Sequence, residues 1–304
     1  MAANMNLKMQ LMDVVTAYLY GSLDSEIYMK VSEGLKIPGP NQNRNMFSVH
    51  LQRSLYGLKQ SGRMWFNRLS NFLLRRGYTN NDDCPCVFIK KSTDGFCIIS
   101  VYVDDLNIIG TTRDIEEASA YLKTKFKMKD LGKTKFCLGL QLEHLPEGVF
   151  VHQSTYTKRV LEKFNMDKCH PPKTPMVIRS LEADKDPFRP KEEEEEVFGP
   201  EVPYLSAIGA QMYLANCTRP DIAFAVNLLA MYSAAPTRRY WVGVKTILRY
   251  LQGTQDLGLW YSRKEVSSMV GYVDAGSICL THIMPNHRLV LCFSVVVQPS
   301  PGGL

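Results

Sequence analysis

The sequence predicts an α+β protein, and three observations carry that prediction. Short runs rich in β-branched and aromatic residues recur through the first half, as in "CVFIKKSTDGFCIISVYVDDLNIIG". Between them lie segments whose apolar residues repeat at helical spacing. The second half, from 204 to 252, reads as helix almost throughout. With 304 residues, the chain can hold one large domain or two to three smaller ones, and 45% hydrophobic content supports a substantial core.

Each element follows from local pattern. Residues 8–18 are strand-like up to Asp13, and "GSLDSEIYMKVSEG" reads as a turn and a short hairpin. In 61–77, Trp65, Leu69, Phe72 and Leu73 recur at helical spacing, with Gly77 as the stop. Strands at 87–89 and 96–103 flank a turn at "STDG". Asp104 and Asp105 then fall at a tight turn before a third strand at 106–109. Ile115, Ala118, Leu122 and Phe126 mark an amphipathic helix over 114–127. "KFCLGLQLEHLPEGVFVHQ" predicts a further hairpin, followed by a helix near 153–165. Residues 166–203 carry seven prolines and the run Glu192–Glu196, which predicts a linker or long loop, with the glutamate run a solvated tether. Helices resume at "YLSAIGAQMYLANC", at "RPDIAFAVNLLAMYS" with Pro220 in a first turn, and at "TRRYWVGVKTILRYLQG".

Composition sets limits. A net charge of +6 and a pI near 8.8 suit a polyanionic partner but occur in many proteins. Several of the eight cysteines lie in apolar runs and read as reduced, intracellular thiols. The opening "MAANMNLKMQ" lacks the apolar run of a signal peptide, and the longest apolar runs are too short to span a bilayer.

The adjacent Asp104 and Asp105 are costly in an apolar segment, because each raises the cost of ionising the other. A divalent cation would relieve that cost, and an all-oxygen site of this kind suits Mg²⁺. A two-metal phosphoryl-transfer site needs one more carboxylate from another strand. Asp13, at the end of an apolar strand, is the candidate; if the two strands are neighbours, Asp13 and Asp104 converge on one face. An ordinary hairpin turn also explains an Asp-Asp pair, and Asp at a strand end is common.

The order of motifs goes further. "QLMDVVTAYLYGSLDSEIYMKVSEG", "SLYGLKQSGRMWFNRL", "YVDDLNIIG", "LGKTKFCLGLQL", "TRPDIAFAVNLLA" and "LRYLQGTQDLGLWY" closely resemble the reverse transcriptase of copia-type LTR retrotransposon polyproteins, over residues 8 to about 275. The resemblance implies an RNA-directed DNA polymerase that takes an RNA or DNA template with primer and deoxynucleoside triphosphates, with no membrane partner. It implies two Mg²⁺ ions, with Mn²⁺ as a substitute, held by Asp13, Asp104 and Asp105. Tyr18 would select deoxynucleotides by clashing with a 2′-hydroxyl; its plain reading is core packing. Gly57, Lys59 and Gln60 would line the nucleotide, although a solvated turn explains the polar pair nearly as well. Leu138, Gly139 and Leu140 match the primer grip.

The implied architecture is a palm over 1–150, an antiparallel sheet with helices on one face. A thumb-like segment and acidic linker follow over 151–203, then a helical connection over 204–262 and the remnant of a ribonuclease H start over 263–304. The implied location is a cytoplasmic virus-like particle or the nucleus.

Departures from the family matter. Only 12 residues precede Asp13, where the family has a fingers region with basic residues that hold the triphosphate. Ser61-Gly62 replace the family's Ala-Pro, which predicts a looser loop. Asp274 matches the first ribonuclease H ligand, but no Asp or Glu follows it, so ribonuclease H activity is not expected. Cys279, His282, His287 and Cys292 are spaced like a variant zinc knuckle, although "LVLCFSVVV" reads as a strand and the glycines of such a knuckle are absent. A degenerate fragment that at most binds nucleic acid is the alternative to an active polymerase. A cyclase-like palm enzyme finds no support in the downstream motifs.

Overall fold

The computed structural model describes residues 2–37, 44–92, 95–177, 179, 182, 184–264, 271–273, 291–293 and 297–299. The chain divides into two compact units, Asn6–Thr134 and a second that runs on from Lys135 and takes in Ala3–Met5.

In the first unit the period-2 pattern builds a six-stranded antiparallel sheet in the order β4-β5-β6-β7-β1-β8. Its strands are β1 (Lys8–Val14), β4 (Thr79–Asn80), β5 (Val87–Ser92), β6 (Gly95–Tyr102), β7 (Asp105–Gly110) and β8 (Met128–Lys133), while β2 (Ser22–Lys30) and β3 (Ser48–Arg53) pair separately. Alternate residues Met12, Val14, Phe88, Cys97, Ile99, Val101, Leu106 and Ile108 are buried. They join one core with helices α1 (Ser61–Arg75) and α2 (Thr112–Lys125). Trp65 and Phe72 of α1 meet Phe126 edge-on, at ring centroids of 5.2 and 5.3 Å. A Thr111–Asp114 capping box starts α2. At the end of α1 the Tyr78 and Gly77 amides donate to the Leu73 and Leu74 carbonyls, with Gly77 at φ +83°. That is a Schellman stop, and it needs a left-handed residue.

In the second unit β9 (Phe136–Cys137), β10 (Leu140–Leu145), β11 (Gly148–His152), β12 (Leu257–Ser262) and β15 (Val297–Pro299) form an antiparallel sheet. A short pair, β13 (Gly271–Val273) and β14 (Leu291–Phe293), stands apart. Helices α3 (Ser154–Lys163), α4 (Tyr204–Cys217), α5 (Ala223–Ala230) and α6 (Arg238–Gln252) enclose a core around Val226, Leu229, Val244, Ile247 and Leu251, all fully buried. Arg219, 1% exposed, is satisfied by a bidentate pair with Asp221 and by Thr254. No helix among the described residues is long and apolar enough to cross a membrane.

Two expectations are corrected. "GSLDSEIYMKVSEG" is one strand, β2, paired with β3. The register of that pairing shifts between Ser22 and Ile27. The segment 166–203 forms a long loop without helix or strand among its described residues, but it is docked on the helices and not loose. Phe188 is buried, Tyr232 and Tyr240 hydroxyls donate to the Phe188 and Arg189 carbonyls, and Glu195 pairs with Arg239 at 2.6 Å. Glu192, Glu193, Glu194 and Glu196 are exposed, as expected of a solvated run, while Glu195 is the one that docks.

Candidate active site

Strand β1 lies between β7 and β8, so Asp13 has a cross-strand partner on each side: Asp105 on β7 and Lys129 on β8. Because Met12 and Val14 face the core, Asp13 takes the opposite face of the sheet. The same alternation puts Asp105, before buried Leu106, on that open face. Tyr102 pairs with Asp105, which leaves Val103 and Asp104 as a two-residue turn. Both aspartates of the pair are half-buried.

Val103 sits at φ +56°, a left-handed conformation that is strained for a β-branched residue. The turn is held from two sides. The Trp65 indole N–H donates to the Val103 carbonyl at 2.6 Å, and the Val14 amide donates to the Asp104 carbonyl at 2.8 Å.

Burial, then the Asp104 and Asp13 carboxylates, push the Asp105 carboxyl above its ordinary range. Lys129 Nζ stands 3.8 Å from an Asp13 carboxylate oxygen and offsets part of that charge. No group of three His, Cys, Asp or Glu side chains among the described residues is drawn together as a ligand set. The donor chemistry nevertheless suits a hard cation: three carboxylates at neighbouring backbone positions, one of them shifted by burial and then by the other two.

After β1 the chain turns through Thr16, also left-handed at φ +57°, into a single turn of 3₁₀ helix, Ala17–Tyr20. Tyr18 lies there, its ring 4.6 Å from that of Tyr56. Fully buried Ser54 donates to the Tyr18 carbonyl. A side chain at Gly21 would strike the Ser54 hydroxyl and Met64 at 2.5 and 2.8 Å, so this position needs glycine. Gly57 has φ +99°. Lys59 is exposed, and Gln60 precedes α1 without capping it through its side chain. The looser loop expected at Ser61-Gly62 is not what forms. Both residues lie in the first turn of α1, and the Ser61 hydroxyl donates to the Leu55 carbonyl at 2.6 Å.

Leu138, Gly139 and Leu140 belong to the second unit. Leu138 and Gly139, at φ +51° and +80°, make the tight turn between β9 and β10. The Tyr213 hydroxyl donates to the Leu138 carbonyl at 3.0 Å, and a Cβ on Gly139 would lie 2.4 Å from that hydroxyl. Asp274 and the knuckle positions Cys279, His282 and His287 lie outside the described residues, as does the side chain of Cys292.

Sequence reasoning missed Lys129, Tyr56 and Ser54, and read Trp65 only as core. Trp65 had a readable signal, since a buried indole N–H requires an acceptor. The others depend on strand register and loop path.

Comparison with known proteins agrees with the motif order. The family model described as reverse transcriptase (RNA-dependent DNA polymerase) matches residues 1–178. The retrovirus-related Pol polyprotein from transposon TNT 1-94 of Nicotiana tabacum is 37% identical over 90% of this chain and 20% of its own length. That from transposon RE2 of Arabidopsis thaliana is 31% identical over 87% of this chain and 17% of its own length. A putative transposon Ty5-1 protein of Saccharomyces cerevisiae is 28% identical over 87% of this chain and 82% of its own length. The chain thus spans about a fifth of the first Pol polyproteins it matches. It belongs to the reverse transcriptase family of copia-type retrotransposon Pol polyproteins.

Proposed function

We propose that the chain carries the polymerase centre of an RNA-directed DNA polymerase, with nucleotidyl transfer at Asp13, Asp104 and Asp105. The observation that carries this reading is the register that sets Asp13 opposite Asp105, beside the turn that bears Asp104. In this reading 1–150 is the palm, 151–203 is thumb-like, and 204–262 is the connection.

Asp13 and Asp104 would hold two Mg²⁺ ions, with Asp105 assisting. Bound there, the ions would activate the primer 3′-hydroxyl and stabilise the charge that develops on the α-phosphate and the pyrophosphate. The protein's own part is positioning. The bonds from Trp65 and Val14 fix the backbone that carries Asp104. Tyr18, backed by Tyr56, would lie under the sugar and exclude a 2′-hydroxyl. Gly57 lets the backbone approach the nucleotide closely. Lys59 and Gln60 supply polar contacts, and the turn at Leu138, Gly139 and Leu140 grips the primer.

The test is extension of an oligo-dT primer on a poly-rA template with Mg²⁺ or Mn²⁺. The wild-type chain should extend the primer and Asp104→Asn should reduce extension to background. Wild-type protein that binds template-primer in a salt-sensitive way without extending it would instead indicate a binding remnant.

A further inference from the structure

Apart from the carboxylate site, the second unit holds a cavity of about 560 Å³ between residues 195–198 and the start of α6. Its chemistry is specific. Thr237, 1% exposed, lines it, and its hydroxyl oxygen has no hydrogen-bond partner. Thr237 is also the N-cap residue of a 15-residue helix, where free backbone amides favour an anion. Arg238 and Lys245 line the same wall. Neither makes an ion pair with a described carboxylate, and Lys245 instead lies over the Trp241 ring at 5.4 Å. Trp241 and Phe198 give the cavity two aromatic walls.

Two carboxylates also line the cavity, and they set the balance. Glu195 is paired with Arg239 at 2.6 Å, so its charge is already offset. Glu196 is exposed and opposes one of the two cations. One positive charge and the helix terminus therefore remain. An anion with an aromatic group attached satisfies the whole lining: the phosphate at Thr237, Arg238 and Lys245, the ring against Trp241 and Phe198. The volume lies in the range of small-ligand sites.

We propose that this cavity binds one nucleotide unit of a single-stranded nucleic acid, with phosphate at the α6 N-terminus and base stacked on Trp241. The class of ligand follows from the lining; its source, a template strand, rests on the polymerase reading above. Base-on-aromatic stacking with nearby cations tolerates any sequence, as a template contact must.

The test measures binding of a fluorescent single-stranded oligonucleotide by the full chain across a salt series. Arg238→Gln with Lys245→Gln removes both cations from the phosphate contact. Both cations face the same phosphate, so the slope of log affinity against log salt should become shallower by about 0.7, the value for one phosphate on a single strand. The control Lys158→Gln with Lys168→Gln, exposed on the same unit, should leave that slope nearly unchanged. An oligonucleotide carrying 5-iodouracil should photocrosslink to Trp241 or Phe198 in the unmodified protein, which makes the result independent of how the variants fold. Equal slopes for the two double variants, or crosslinks confined to other peptides, would overturn the site. So would a loss seen only for an acidic peptide, which would mark a protein-binding cavity. The polymerase reading fails separately: no primer extension, together with crosslinking at Trp241, would leave the site standing and remove the enzyme.

Discussion

Asp105 has a carboxylate neighbour in sequence and another across the strand, and it is partly withdrawn from water as well. Its raised pKa has a definite consequence for stability without metal. The folded state holds the Asp105 proton to higher pH than the unfolded chain does. Stability therefore falls as pH rises from the ordinary carboxylate range through the folded pKa, and the penalty persists above it. Asp105→Asn should accordingly raise the melting temperature at pH 7 in a chelator, and the gain should vanish below the unfolded carboxylate pKa. A scan of melting temperature against pH checks this; a variant less stable than wild type at pH 7 would contradict it. Residue type and motif order singled out the three aspartates as candidates, and the strand pairing sets Asp13 opposite Asp105. Lys129 was not legible, because nothing in "FKMKDLGK" says which strand lies beside β8. Only the observed pairing puts its ammonium near Asp13.

Helices and strands were read well where periodicity and terminators agree. The helix expected over 61–77 forms as Ser61–Arg75, and Gly77 supplies the left-handed stop. Two glycines separate backbone from packing demands. A side chain at Gly77 would meet nothing within 4 Å, so Gly77→Ala isolates the cost of its positive φ. That substitution should destabilise the first unit by about 1 kcal/mol. Gly243, inside α6, has an ordinary helical backbone, but a Cβ there would lie 2.8 Å from Phe188 and 3.0 Å from Leu229. Gly243→Ala should cost about 1–3 kcal/mol by overpacking, despite the better helix propensity of alanine. Chemical denaturation of each variant measures both. A stabilised Gly243→Ala would show that Phe188 and Leu229 can yield. The β2 misreading has the opposite origin: "LDSE" suits a turn or a bulged strand equally, and the pairing with β3 decides between them.

Over the whole molecule, the class α+β was legible, but the role of residues 166–203 was not. Proline content and a glutamate run describe local stiffness and solvation, and they carry no information about distant partners. The partners are the hydroxyls of Tyr232 and Tyr240 and the guanidinium of Arg239, which come from beyond α5 and from α6. They hold the segment by its backbone carbonyls and by Glu195, while Phe188 is 3% exposed. Asp186 reinforces this by pairing with Arg179 and accepting from the Phe188 amide at 2.9 Å. A docked segment and a free tether differ in how they meet a protease. Phe188→Ala should cost about 3–5 kcal/mol and should speed tryptic cleavage at Lys185 and Lys191; Arg189 precedes Pro190 and resists trypsin. Glu193→Gln with Glu194→Gln, at exposed positions in the same run, should change stability by less than about 0.5 kcal/mol and leave cleavage slow. If wild type and Phe188→Ala were cut at these sites equally fast, the segment would be a tether after all. Docking also bears on the α6 cavity, because Glu195, Glu196 and Phe198 form one of its walls. Phe188→Ala should therefore weaken oligonucleotide crosslinking to Trp241 under conditions where the helices remain folded, as judged by circular dichroism.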